Sequence, residues 1–136
     1  MISLSPRLIS VAAVGAVAAA LFVIPLASLP AAAVAGDWDA GGDVFDTYCS
    51  DCHSLSAKGT NRKGPTLYRV MGRRAGIIGG YSYSAGMAKS GIVWNPTTLN
   101  TYLANPRGMI PDGKMKKGLA KPADRANVIT FLARPE

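Results

Sequence analysis

The sequence predicts an all-α domain of about four to five short helices joined by long loops. Three observations predict it. No segment keeps a hydrophobic period of two, so no strand is expected. Apolar residues recur at helical spacing in three separated stretches. Between them lie Gly- and Pro-rich connections, too long for a compact fold unless they wrap something.

The elements follow in order. Residues Asp39 to Tyr48 carry Val44, Phe45 and Tyr48 at helical spacing and read as a first short helix, which Cys49 to His53 continues or ends. Ser54 to Gly64 is polar and reads as loop, and Gly64-Pro65 marks a turn. Leu67 to Met71 fits one helical turn stopped by Gly72. Gly76 to Gly86, with four glycines around Tyr81 and Tyr83, reads as loop. Asn95-Pro96 places an N-cap residue before Pro at the first turn. Leu99, Tyr102 and Leu103 form that helix's apolar face, and Pro106 is expected to end it. Arg107 to Met115 reads as a loop fixed by Pro111 and Gly113. Asp124 to Arg134, with Val128, Ile129, Phe131 and Leu132, is the last helix, opened by Ala123 or the residues just before it and closed by Pro135.

The first 35 of the 136 residues differ from the rest. They hold one charge, Arg7, and an apolar run from Leu8 to Leu29. Ala33-Val34-Ala35 fits a small-residue cleavage site. Residues 1–35 therefore read as a signal peptide, with an uncleaved N-terminal membrane anchor as the alternative, since a run of this length can span a bilayer. Residues 36–136 form the working domain. Export implies a periplasmic location, anchored to the cytoplasmic membrane only if residues 1–35 are retained. The whole chain is +7. Its four lysines between Lys114 and Lys121 point to acidic partner surfaces. No nucleic-acid motif or basic helix accompanies the charge.

Cys49-Ser50-Asp51-Cys52-His53 bears the chemistry. C-x-x-C-H is the attachment pattern of a c-type haem. The two thiols add across the two porphyrin vinyl groups to give two thioethers, and the adjacent histidine binds the iron. The chain has two cysteines and one histidine, all within this motif. A zinc site needs four ligands, and no second Cys or His pair exists to supply them. Bis-histidine ligation within the chain is excluded for the same reason. A second axial ligand would be a methionine: Met71, Met87, Met109 or Met115. Met71 keeps helical spacing with Leu67 and reads as core. Met115 follows Pro111-Asp112-Gly113-Lys114 on a stiff loop.

Beyond this motif the strings resemble class I cytochrome c, the group of mitochondrial cytochrome c and its soluble periplasmic bacterial relatives. They are Gly41 with Phe45, Gly64-Pro65-Thr66-Leu67, Gly72-Arg73, Gly80 to Ser84, Gly91 to Trp94, Leu99 to Pro106, Ile110 to Met115 and Asp124 to Leu132. The resemblance implies the small cytochrome c fold around one covalent haem c. It implies His53 and Met115 as axial ligands and Cys49 and Cys52 as attachment points. Pro65 would accept the proton of the His53 ring. Arg73, Tyr83 and Trp94 would lie near the haem propionates and Tyr102 beside Met115. Gly41, Phe45, Val128 and Phe131 would form the crossing of the first and last helices.

The implied function is that of a monomeric one-electron carrier, not an enzyme. It would shuttle between a quinol-oxidising cytochrome bc complex and a terminal oxidase or photosynthetic reaction centre. Arg62, Lys63, Arg107, Lys114, Lys116, Lys117 and Lys121 would surround the haem edge. The alternatives are a membrane-anchored donor, or a haem enzyme or gas sensor with an open sixth site. Two departures from the family's pattern bear on the haem surroundings. Gly113 and Met87 stand where the family often has Thr and Asn, and Lys116-Lys117 follows Met115 in place of an apolar run. With little apolar surface of its own to bury, the haem-free domain is expected to be largely unfolded.

Overall fold

Helix α1 (Trp38–Tyr48) begins where Asp37, in extended conformation, accepts a hydrogen bond from the Ala40 N–H at 2.7 Å. A short carboxylate at that position satisfies an amide that has no partner inside the helix. Gly41, Val44 and Phe45, three and four positions apart, form its buried stripe. The computed structural model describes residues 35–134. The proposed signal segment therefore lies outside the described residues, apart from Ala35. Among the described residues no helix is long and apolar enough to cross a membrane.

Four further helices follow: α2 (Ala85–Lys89), α3 (Pro96–Ala104), α4 (Pro106–Met109) and α5 (Pro122–Ala133). No strand forms among the described residues, only an isolated bridge between Arg74 and Val93. The all-α architecture is the one the periodicities predict.

Helix α3 starts on a reciprocal capping box. The Asn95 carbonyl Oδ1 accepts from Thr98 N–H at 2.9 Å, and Thr98 Oγ1 accepts from Asn95 N–H at 2.9 Å. Pro96 occupies the first turn, where its missing N–H costs nothing. Its Leu99, Tyr102 and Leu103 are buried, as the spacing requires.

Helix α5 crosses α1. Built at Gly41, a Cβ would lie 2.3 Å from the Asn127 carbonyl oxygen and 2.7 Å from Phe131 Cβ. Only a residue without a side chain lets the two backbones approach so closely. Phe131 stacks against Trp38 and Phe45 with ring centroids 5.4 and 5.7 Å apart. Val44, Phe45, Val128 and Ile129 are buried in the core that these helices share. Full burial of such a side chain contributes about 1.5–3 kcal/mol. The Asp37 N–H donates to Asn127 Oδ1 at 2.9 Å, tying the start of α1 to α5.

Three local expectations are corrected. Residues 67–71 form successive turns instead of a helical turn, with Val70 N–H bonded to the Leu67 carbonyl at 3.1 Å. Arg69, at φ 47°, lies in the left-handed region, and a right-handed helix cannot pass through it. Helix α2 starts inside the segment read as loop, capped by Ser84, whose hydroxyl accepts from Met87 N–H at 3.3 Å. Helix α3 stops at Ala104 with Asn105 as its C-cap, directly before Pro106 as expected, but the segment from Arg107 read as loop begins with helix. Pro106 also opens the one-turn α4, capped by Asn105.

Candidate functional site

A cavity of about 390 Å³ lies between α1, α3, α5 and the loops, within the size range of small-molecule and cofactor pockets. All nine residues singled out from the sequence line it: Cys49, Cys52, His53, Pro65, Arg73, Tyr83, Trp94, Tyr102 and Met115. They come from positions spread over half the chain.

The cysteines and histidine stand on the turn that leaves α1. The Phe45 carbonyl accepts from both Cys49 and Ser50 N–H, and the Cys49 carbonyl from Cys52 and His53 N–H. The turn stacks two thiols and the ring within five residues. Both cysteines are free. Burial pushes the Cys49 thiol up to about 11, with the neighbouring Cys52 adding to the rise, so it stays protonated at neutral pH.

His53 Nδ1 lies 2.7 Å from the Pro65 carbonyl oxygen. A carbonyl only accepts, so the proton is on Nδ1 and the lone pair on Nε2, the tautomer a metal ligand needs. Burial lowers the affinity of the ring for a second proton, against the Pro65 carbonyl, which favours the protonated form. Gly64 leaves room for the ring: a Cβ there would sit 2.4 Å from His53 Cε1. The Pro65 carbonyl is fixed by its surroundings. Leu67 N–H donates to the Ser54 carbonyl at 2.8 Å and Gly64 N–H to the Cys52 carbonyl at 2.7 Å. Buried Thr66 donates to the Ser54 and Ser56 carbonyls, and buried Ser54 to the Thr60 carbonyl. The sequence reading missed Gly64, Ser54 and Thr66 as positioning groups. The signal was there in the run Gly64-Pro65-Thr66.

Another part of the lining is polar, around Arg73. Its guanidinium donates to the Tyr68 carbonyl at 2.6 Å and the Thr66 carbonyl at 2.8 Å. Burial lowers its proton affinity, with Tyr83 opposing the change. Burial raises the Tyr83 phenol; its bond to the Ile78 backbone and the Arg73 charge draw it back, and Tyr81 adds to the rise. Trp94 packs on Tyr102 with centroids 5.2 Å apart. Burial pushes the Tyr102 phenol up to about 12, aided by Tyr81.

Met115 reaches the cavity, as does buried Met87. Met71 packs against the core and Met109 does too, and neither lines the cavity. Of the seven cations expected around the haem edge, Lys63, Lys114, Lys116 and Lys117 line the cavity. Arg62 turns to the Ser50 carbonyl and Arg107 to the Gly113 carbonyl, and Lys121 stands at the start of α5. Exposed Tyr48 joins the rim, a residue the sequence reading assigned to the helix face alone.

The fit to haem c is good on chemistry. One apolar cavity presents two thiols, one imidazole with a free Nε2 lone pair and a thioether, the donor set of a covalently held His/Met haem.

The cytochrome c family model matches residues 38–134. The chain is 46% identical to cytochrome c of Cochliobolus lunatus over 98 residues, which is 71% of this chain and 91% of the relative. It is 45% identical to cytochrome c of Arabidopsis thaliana over 98 residues, covering 71% and 88%. It is 41% identical to that of Ginkgo biloba over 98 residues, covering 71% and 87%.

These relatives overturn the periplasmic location expected from residues 1–35. They are cytochromes c of fungi and plants, of the mitochondrial type, rather than periplasmic bacterial proteins. The physical reason is that an apolar leader reports encounter with a membrane without saying which one, and C-x-x-C-H carries no address. The family's haem c is covalent, and Cys49 and Cys52 stand in its C-x-x-C-H segment. With the family model spanning most of the chain, this protein belongs to class I cytochrome c, monohaem electron carriers rather than enzymes.

Proposed function

We propose that this cytochrome shuttles single electrons between a quinol-oxidising cytochrome bc complex and a terminal oxidase or photosynthetic reaction centre. It docks on acidic surfaces of both through the rim of Lys63, Lys114, Lys116 and Lys117. Residues 36–136 are the working domain, and residues 1–35 a leader. In this reading His53 and Met115 are the axial ligands, and Cys49 and Cys52 hold the macrocycle. The observation that carries it is the single cavity lined by all nine residues, with a cationic rim.

When bound, the haem supplies an iron that changes oxidation state by one electron. The residues do the rest. Pro65 and Gly64 fix the plane and tautomer of the His53 ring, so ligation needs little reordering. Met115 supplies a thioether, a ligand that favours the reduced metal. Trp94, Leu99, Tyr102, Leu103 and Val128 exclude water. Arg73 and Tyr83 present donors to propionate carboxylates, whose burial without partners would be costly.

The test is stopped-flow electron transfer to a purified oxidase at increasing salt. Steering by several exposed lysines gives a bimolecular rate that falls steeply with ionic strength. A Lys116→Glu/Lys117→Glu double substitution should lower the low-salt rate by about tenfold or more. A rate indifferent to salt would exclude this docking mode.

A further inference from the structure

Met115 sits on the loop between α4 and α5, and among the described residues no helix or strand ties that loop to the cavity wall that carries α2. That wall runs through residues 81–87, of which Tyr81, Tyr83, Ser84 and Met87 line the cavity. Two side chains from the Met115 loop cross to it. The Asp112 carboxylate accepts from the Gly86 N–H at 2.8 Å and from the Ser84 hydroxyl at 3.2 Å. Lys114 Nζ donates to the Ser82 carbonyl and lies 5.5 Å from the centroid of the Tyr81 ring.

The two links differ in stiffness. Lys114 reaches over a four-carbon stem with many rotamers. Asp112 has a short side chain, and one of its donors is a backbone amide held within α2. Gly86 belongs to the same device. A Cβ built there would lie 2.2 Å from Asp112 Oδ1, so the carboxylate occupies the space that any side chain at 86 would fill. Hydrogen bonds to a charged acceptor are stronger than neutral ones. The carboxylate is exposed, which moderates their net effect.

We propose that Asp112 is a positioning residue for Met115: its carboxylate latches the thioether-bearing loop to the wall at residues 84–86. The latch sets how often the thioether leaves the sixth coordination position. This rests on the reading of Met115 as the axial ligand. An external ligand for the ferric iron binds only when the thioether is away, so its apparent affinity reports the open fraction.

The experiment uses the haem-loaded chain, with azide as the probe. Asp112→Ala and Gly86→Ala should each raise azide affinity about tenfold, the equivalent of about 1.4 kcal/mol in the opening equilibrium. The two together should do no more than one alone, since both break the same contact. Asp112→Asn keeps an acceptor for the Gly86 amide and should stay within about threefold of the parent protein, at roughly 0.6 kcal/mol. Asp37→Ala removes a comparable exposed cap at the start of α1. It should lower global stability while leaving azide affinity unchanged.

The Met–iron(III) charge-transfer band in the near-red keeps two failures apart. A parent protein without that band would overturn the axial reading and the latch with it. A parent with the band, and azide affinity unmoved in Asp112→Ala, would overturn the latch alone. So would an equal gain in Asp37→Ala, which would mean general loosening.

Discussion

Two adjacent glycines in α1 should respond to the same substitution with opposite signs. Alanine is worth up to about 1 kcal/mol over glycine in a helix interior, so propensity alone favours Gly→Ala at both 41 and 42. At Gly42 the new methyl meets only the Phe131 ring edge, at 3.5 and 3.8 Å, which is ordinary contact. Gly42→Ala should therefore stabilise by about 0.5–1 kcal/mol. At Gly41 the new methyl would lie 2.3 Å from the Asn127 carbonyl oxygen and 2.8 Å from its carbon. Those atoms belong to the α5 backbone and cannot rotate away. The helices must part by about 1 Å along their contact, and overpacking of this kind costs about 1–3 kcal/mol. With backbone as the obstacle the upper end applies, and after the propensity gain the net loss is about 2 kcal/mol. The assay is urea unfolding of the haem-loaded protein followed by far-UV dichroism. At a slope of about 2 kcal/mol/M, Gly41→Ala should lower the midpoint by about 1 M and Gly42→Ala raise it by a few tenths. Neither glycine lines the cavity, so the visible spectrum should not change. If both substitutions shift the midpoint the same way, the close helix crossing is not what fixes Gly41.

Asn95→Ala removes one half of the α3 capping box and should cost about 1 kcal/mol by the same unfolding assay. Met115→Ala should abolish the Met–iron(III) band and give tight azide binding. Persistence of the band would reassign the ligand to Met87, the other methionine lining the cavity. Tyr102→Phe should delete a phenol that titrates near 12 in ultraviolet pH titration. Because that folded value lies above the unfolded one of about 10, Tyr102 stabilises the fold below pH 10 and the contribution is lost as pH rises toward 12, so the variant should lose less stability over that range. The haem-free domain should show little helical dichroism; native-like helix content would mean the protein core suffices.

The readable part of the molecule is the part whose causes are local. Cys49, Cys52 and His53 are contiguous, and the Asn95-Pro96 start of α3 is written in adjacent residues. The stripes of α1, α3 and α5 are periodic. Met115 stands out among four methionines because neighbouring residues stiffen its loop, and it lines the cavity together with Met87. What escaped depends on distant partners. Helix α2 has only five residues with Gly86 inside, and its stabilising contact comes from Asp112, 26 positions away. The turn at 67–71 hinges on Arg69 adopting a positive φ, which nothing in its residue type announces. Pro106 stops α3 as expected, but proline equally begins helices, and α4 starts on it in a segment whose composition reads as loop. Four of seven cations proved to line the cavity, because charge along a sequence does not say which way a side chain turns. Compartment is not legible in residues 1–35, because hydrophobicity encodes a passage and no destination.

The bond from Asp37 to Asn127 joins residues 90 positions apart. Closing a flexible loop of that length costs about 4 kcal/mol in chain entropy, before any constant term. The α1–α5 joint is therefore a buckle, fastened after nearer contacts have shortened the effective loop. Non-local closures of this kind slow folding. They also make the two ends of the domain interchangeable with a covalent link. A circular permutant that joins the ends and opens the chain in the exposed stretch at residues 57–60 would have the buckle sewn shut from the start. Its folding should be faster, with the cavity walls still meeting as they do in the parent chain.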